Sequence, residues 1–507
     1  MASGHSNPKR WLILLAVMLA FLPVVLDMTI LHVAVPPLTQ ALKASNNEVL
    51  WVIDIYPLLM AGLLVPMGTL ADRVGNRHIM LIGLVVFGVA SALAAFSTTA
   101  LMLIGARLLL AVGGSMIMPC VLGLIRRAFE DEKERGFALG LWGTVGAGGA
   151  ALGPLLGGVL LEHFWWGSVF LINVPLMLVV IPICWVLLPR KEKTTPGHWA
   201  IGEALMLVMG MISVVYAIKA GFAGKQPIAV VLMMLVFGVA MLSLFAYKQL
   251  RGTMPMLDLS LFTYPAITAG MLIAVLSSGA LAGVELTLAQ ELQYVLDKTP
   301  LEAGVFMLPI MVAAAVGGPI ASWFLAHFGL RAVASLSMLI SALALAWLAV
   351  EDFDSSGLIV PALLAALGLA LSIGFTASSI AIMGSVDASK GGAAGSLEAT
   401  GYELGTGLGI TLFGVFMSFL FGRNLTAPDE LSEELIEQAA ISMGDTYLVA
   451  QQLSDDQAAA LISAGKMAFS TTHSVLLMTA AVLIGALSVL VFFLLSGGRK
   501  DSQGVSS

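Results

Sequence analysis

Six carboxylates interrupt otherwise apolar stretches of this sequence. They are Asp27 in "VVLDMTIL", Asp54 in "WVIDIYPLL", Glu203 in "IGEALML", Glu285 in "AGVELTLA", and Glu398 and Glu403 in "GSLEATGYELGTG". A single strong base stands in a comparable setting, Arg107 in "LIGARLLLAVGG". A carboxylate in a membrane helix costs roughly 2.5–3.5 kcal/mol on insertion scales. If Asp27, Glu285, Glu398 and Glu403 all faced lipid, the sum would be on the order of 10 kcal/mol, comparable to a whole protein's stability. These acids must therefore face a helix-bundle interior or a water-filled cavity. One arginine cannot pair with all of them. Acids in excess in a partly dry cavity attract lipophilic cations and favour the protonated carboxyl. Such a group holds either a proton or the charge of a bound cation, and competition between the two suffices for exchange. Asp54 and Glu203 lie near the ends of apolar runs, within reach of water. Glu403 follows Glu398 by five residues and so points in a different direction.

The elements that position these acids are membrane spans. Of 507 residues, 59% are hydrophobic and 11% charged, against about 25% charged in soluble domains. A span needs about 20 apolar residues. The hydropathy pattern predicts an all-α polytopic membrane protein with fourteen spans: 11–36, 49–70, 79–97, 101–125, 136–161, 168–189, 200–220, 227–247, 264–289, 301–326, 332–350, 358–384, 392–421 and 471–495. The first, "WLILLAVMLAFLPVVLDMTILHVAVPPL", is too long for a signal-peptide core and reads as a retained span. With this layout, 17 of the 24 Lys and Arg residues fall on one side, Lys43, Lys219, Lys225, Lys298, Arg423 and Lys466 fall on the other, and Arg107 lies within a span. The bias predicts cytoplasmic N and C termini. Cys120 and Cys184 both sit in apolar runs, which argues against a disulfide and against a cysteine metal site; no metal is expected.

Glycine is abundant, at 53 residues. Small residues let membrane helices approach closely. In "GAGGAALGPLLGG", Gly149, Gly153 and Gly157 are spaced by four and share a helix face, and Pro154 removes a backbone hydrogen bond. "GTLADRVGNRH" is a tight charged turn between the second and third spans, with Gly68, Asp72, Arg73, Gly75 and Arg77. "WWGSVFLINVP" opens the sixth span.

Together these pieces resemble the signature motifs of the major facilitator superfamily, and more narrowly its fourteen-span drug:proton antiporter family. "LDMTILHVAVP" is similar to the first-span motif, "GTLADRVGNRH" to the span 2–3 loop motif, Arg107 with Gly113 to the fourth-span motif, and "GAALGPLLGG" to the antiporter motif of the fifth span. "WVIDIYPLLMAG" with Asp54, Glu398 and a long loop before the last span resemble the QacA- and SmvA-type branch, which exports quaternary ammonium biocides and methyl viologen. The resemblance covers essentially the whole chain. It departs at Leu110 and Ala111, where the fourth-span motif often has Gln-Gly, and at "ASWFLAHFGLR", an eroded second copy of the loop motif that points to an asymmetric gate.

The resemblance implies a six-helix bundle over 11–189, two linker helices over 200–247, and a second bundle over 264–495 carrying an external loop at 424–470. It implies alternating access in a bacterial cytoplasmic membrane, as a monomer, with small lipophilic cations and protons as partners. By the same carry-over, Asp27 is a proton-coupling or cation-binding acid beneath the outer mouth, Glu285 and Glu398 are its second-half counterparts, Asp54 lies near an outer vestibule, and Arg107 supports coupling electrostatically. Glu403 joins this set. Asp72 and Arg73 form a cytoplasmic latch, and Gly153, Pro154, Gly157 and Gly158 shape the fifth span.

The loop over 424–470 has two segments of helical spacing with acidic faces, "PDELSEELIEQAA" and "LSDDQAAALISAGKM", which predict an amphipathic hairpin. It reads as a connector on the outer mouth, with substrate gathering or partner docking as the alternative. No G-x-x-x-x-G-K-[ST] occurs, so no nucleotide cofactor is expected and the proton gradient is the energy source. No HExxH or GxSxG constellation points to an enzyme, and nothing suggests nucleic-acid binding. Two other functions stay open: a transporter of a different small molecule on the same scaffold, and a membrane sensor, which the short tails and loops disfavour. The 23 Phe and 27 Met supply soft walls for a cavity.

Overall fold

The computed structural model describes residues 9–129, 131–190, 199–224, 226–253, 255–354, 357–386, 391–426, 428 and 431–496. Lys191, Lys193, Lys225, Lys390, Arg499 and Lys500 of the charge tally lie outside the described residues, as does the Lys133 side chain.

Helices follow one another along the chain as α1 (Lys9–Leu42), α2 (Asn46–Val74), α3 (Asn76–Ala95), α4 (Ala100–Ala128), α5 (Glu132–His163), α6 (Ser168–Leu171), α7 (Asn173–Leu187), α8 (Ile201–Ala223), α9 (Ile228–Arg251), α10 (Pro265–Gln290), α11 (Pro300–Leu348), α12 (Ile359–Met383), α13 (Gly391–Asn424), α14 (Glu433–Ala439), α15 (Met443–Ala450) and α16 (Asp455–Leu494). Helix is the structure this solvent demands, because lipid offers no partner for a free N–H or carbonyl. Local sequence sets the starts. Ser45 with Glu48 and Thr299 with Glu302 form capping boxes.

Thirteen stretches among the described residues are long and apolar enough to cross a membrane, with α6 and α7 forming one of them over Ser168–Leu187. One of the thirteen, α11, has 49 residues. At 1.5 Å per residue that is more than twice the hydrocarbon thickness. It breaks at Gly329, whose φ of 77° takes the backbone out of the helical region. The two arms are the predicted spans 301–326 and 332–350, so the path makes fourteen crossings.

Both ends of the path then lie on one face. Lys9, Arg73, Arg127 and Arg331 mark this basic end, and α14 and α15 mark the opposite, hairpin end. A large apolar core joins α1 to α4 with α7 and α8. A second joins α10, α11, α12 and α16. Helix α2 is the most enclosed, with 89% of its apolar window buried, whereas α9 has 17% and turns most of its surface outward.

The hairpin differs from expectation in its second arm. Residues 433–450 form two short helices, α14 and α15, but "SDDQAAALISAGKM" is the start of α16. From Asp455 the apolar spacing through Leu461, Phe469 and Leu476 runs into the last span without a glycine cap or proline to stop it, so one continuous 40-residue helix forms.

Candidate functional site

Asp27 sits in the middle of α1 and is fully buried. Its carboxylate Oδ2 accepts from Arg107 Nη1 of α4. The guanidinium is held on three further sides: its Nε donates to the Val52 carbonyl of α2 at 3.0 Å, and its Cζ lies 4.6 Å from the Tyr56 ring and 6.0 Å from the Phe170 ring. Asp27 Oδ1 and the Tyr56 hydroxyl are buried with no hydrogen-bond partner. The partner of Arg107, open in the sequence, is thus Asp27.

Asp54 differs from expectation more sharply. It is fully buried and does not reach water. Lys219 of α8 lies 2.6 Å from its Oδ2, and Thr411 of α13 donates to the same oxygen at 2.6 Å. The Lys219 ammonium also stands 3.9 Å from the Trp51 ring centroid. Lys219 had counted among the outer loop charges. It is instead 3% exposed within the last turns of α8, so Arg107 is not the sole buried base.

The second-half acids meet weaker partners. Glu285 of α10 faces His32 of α1, with Oε2 and Nδ1 3.4 Å apart. Glu398 of α13 accepts from Ser379 at 3.2 Å and from the Tyr402 hydroxyl at 3.0 Å. Glu403 has a buried Oε2 with no hydrogen-bond partner. Glu285, Glu403, His32, Tyr56 and Arg107 line one cavity of about 280 Å³ between α1, α2, α4, α10, α12 and α13, with Phe375 and Tyr402 as aromatic walls. Glu285 also borders an adjoining cavity of about 190 Å³ with Ala150, Met311 and Phe375. The structure therefore brings Glu285, Glu403 and Arg107 together. It puts Asp27 directly behind Arg107 and Glu398 behind Tyr402, places Asp54 at a separate helix junction, and leaves Glu203 half-buried in the first turn of α8.

The gating candidates occupy two regions. At the basic end, Gly75 has φ 107° and turns α2 into α3. Asp72 lies 3.5 Å from Arg127, and Arg73 is exposed. Arg77 donates to the Trp185 carbonyl at 2.8 Å and stacks on that ring at 4.8 Å, tying α3 to α7. A Cβ at Gly68 would lie 3.3 Å from Pro119. In α5, Gly149, Gly153 and Gly157 all face α1; a Cβ at Gly157 would lie 2.8 Å from Ile30 and from Val33. Gly158 faces the other way, where a Cβ would come 2.8 Å from the Pro300 carbonyl of α11. Gly304 packs onto the Pro154 carbonyl from the same side. These contacts close α5 against α11 near the hairpin end, while the positions of Gly140, Gly143 and Gly148, towards the basic end, have no atom within 4 Å of a built Cβ.

A helical path of this kind has known counterparts. The sequence model described as Major Facilitator Superfamily matches residues 17–287. This chain belongs to the major facilitator superfamily. It is 43% identical over 492 residues to the methyl viologen resistance protein SmvA of Salmonella typhimurium (strain LT2), covering 97% of this chain and 99% of that one. It is 33% identical over 493 residues to the multidrug efflux pump LfrA of Mycolicibacterium smegmatis, covering 97% of each. Among solved structures, a bacterial homolog of the human lysosomal transporter Spinster, inward-facing and occupied, aligns with a TM-score of 0.66 at 16% identity over 97% of this chain and 98% of that chain. As a major facilitator protein with drug-resistance relatives, it is a multi-pass transporter of the inner membrane and not an enzyme.

Four buried polar residues of this major facilitator chain escaped sequence reasoning. Lys219 was hidden by its place at a span end. His32 stands inside a quoted motif, but nothing in sequence places it against Glu285, 253 positions away. Glu291 and His473 meet at 3.5 Å at a π-helical turn over Glu291–Val295; each stands among polar neighbours at a span end, "AQELQ" and "STTHS", and so did not stand out.

Proposed function

We propose that this transporter is a proton-coupled antiporter that exports lipophilic cations, among them quaternary ammonium compounds, cationic dyes and methyl viologen. The observation that carries the reading is the central cavity, where Glu285 and an unpartnered Glu403 carboxylate oxygen stand beside Phe375, Tyr56 and Tyr402. A flat organic cation finds there both a counter-charge and aromatic faces. The relatives' names, methyl viologen resistance and multidrug efflux, support that substrate class.

In this reading Glu403 and Glu285 are the exchanging acids. A proton arriving from outside takes a carboxylate and releases the cation; inside, a cation displaces the proton. Glu398, hydrogen-bonded through Tyr402, adjusts the same carboxylate cluster. Asp27 and Arg107 form a fixed pair, and its guanidinium lines the cavity that holds Glu403 and Glu285. One charge crossing 100 mV releases about 2.3 kcal/mol, so one proton per cycle drives a substantial gradient and no nucleotide is needed.

The termini are cytoplasmic by the charge bias, and the protein works as a monomer. A six-helix unit over 11–189 rocks against one over 264–495, with 200–247 between them. Gly153, Pro154, Gly157 and Gly158 bend and seat α5 on the closed side; Gly68, Asp72, Arg73, Gly75 and Arg77 latch the basic end when it shuts. Inverted vesicles carrying the protein should accumulate a quaternary ammonium dye while a pH probe reports matching proton loss. Dye movement without proton movement contradicts antiport, and absence of cation recognition contradicts the substrate class.

A further inference from the structure

Asp54 is a junction of three helices rather than a cavity acid. Its own helix, α2, meets α13 along a seam in which Gly407 receives Leu58 and Gly414 receives Leu50, so the two backbones run close on either side of the Thr411 bond. Helix α8 is fastened to the other side of α2. A Cβ at Gly62 would run into Val208 and come 3.7 Å from the Ala204 carbonyl, and Lys219 closes the attachment. Lys219 also forms part of the wall of a cavity of about 440 Å³ between α2, α8, α13 and α14 at the hairpin end.

We infer that Lys219 is a positioning residue that holds the α2–α13 seam shut by neutralising Asp54, which gives α8 a part in setting the balance between the two access states. The inference rests on the alternating-access reading above. Opening the hairpin end requires α2 and α13 to part, and Thr411 then leaves Asp54. With Lys219 present, the carboxylate is paired in both states. Without it, the closed seam buries a lone carboxylate, which is strongly unfavourable, whereas the open seam admits water to it. Loss of the ammonium thus favours the open seam. The titratable and charged groups around the junction are Lys219 and Tyr216 of α8, Glu437 of α14, Tyr56 of α2, Arg107 reaching Val52, and Glu403 about two turns along α13. Only Lys219 is ion-paired with Asp54 among the described residues.

The test uses full-length protein in proteoliposomes with Leu50→Cys as a seam reporter and Gln452→Cys as an exposed reference for thiol reactivity; the native Cys120 and Cys184 are buried. A membrane-impermeant maleimide is added from the hairpin side. Lys219→Met should raise seam labelling relative to the reference by roughly tenfold or more. Asp54→Asn combined with Lys219→Met should return labelling to the wild-type level. Asp54→Asn alone leaves the ammonium unpaired and should also raise seam labelling; it carries the test if Lys219→Met does not reach the membrane. Unchanged labelling in the single variants, or an increase that the double variant does not reverse, overturns the inference. Wild-type labelling that ignores a bound quaternary ammonium dye contradicts the alternating-access reading itself.

Discussion

The carboxylates of α1 and α2 and those of α10 and α13 share one interior but not one electrostatic setting. Asp27 and Asp54 each touch a basic side chain, Arg107 and Lys219. Glu285 has an imidazole and Glu398 has two hydroxyls; Glu403 leaves an oxygen with no partner, as Asp27 and Asp54 each do at Oδ1, but it has no ion pair among the described residues. A buried carboxylate paired with a basic side chain is held in one geometry. One without must find a proton or an incoming cation. On the proposed reading the first pair serves structure and the second group exchange, which moves the exchange step away from Asp27, the residue that stands out in the sequence.

Four tests break or sharpen that contrast. The largest effect is expected from Asp27→Asn, which strands a buried guanidinium. Stability should drop by about 3–5 kcal/mol, read as a lowered Tm in detergent, with much of the loss recovered by Asp27→Asn with Arg107→Met. Glu403→Gln should leave Tm near wild type but cut proton-coupled export on the order of 100-fold, the scale of losing a proton-exchanging group. If the two stability effects were reversed, the division between fixed and exchanging acids would fail. His32→Asn removes the imidazole across the cavity from Glu285 and should reduce export roughly fivefold, about 1 kcal/mol, measured as dye efflux rate. The smallest effect belongs to the hairpin. Neutralising the exposed Glu433 and Glu434 to glutamine should alter export by less than about twofold. A larger loss in efflux of cationic dyes would restore the substrate-gathering role.

How much of this was readable in the sequence depended on whether the physics is local. The crossings follow from hydropathy and length, and even the merged α11 splits where the two predicted spans did, at Gly329. The small-residue face of Gly149, Gly153 and Gly157 follows from helical period, and all three meet α1. Lys219 was not legible. Four methylenes and an ammonium at a span end look like a loop charge, and only the seating of Gly62 against Val208 turns α8 so that Lys219 meets Asp54. Likewise the sequence counts acids against bases but cannot say which acid each base chooses. Arg107 could have served Glu403, whose cavity it lines, yet its Nη1 goes to Asp27. The second arm of the hairpin was misread because "DDQAAALISAGKM" is equally a polar helix and the polar start of a longer one.

The central claim, that second-half acids carry the exchanged proton, is tested most directly by drug-induced proton release. Purified protein in weakly buffered detergent solution is mixed with a quaternary ammonium dye, and the pH change is read for wild type, Asp27→Asn and Glu403→Gln. The account predicts release from wild type and from Asp27→Asn, and none from Glu403→Gln when dye still binds. Release that survives in Glu403→Gln but vanishes in Asp27→Asn would contradict it.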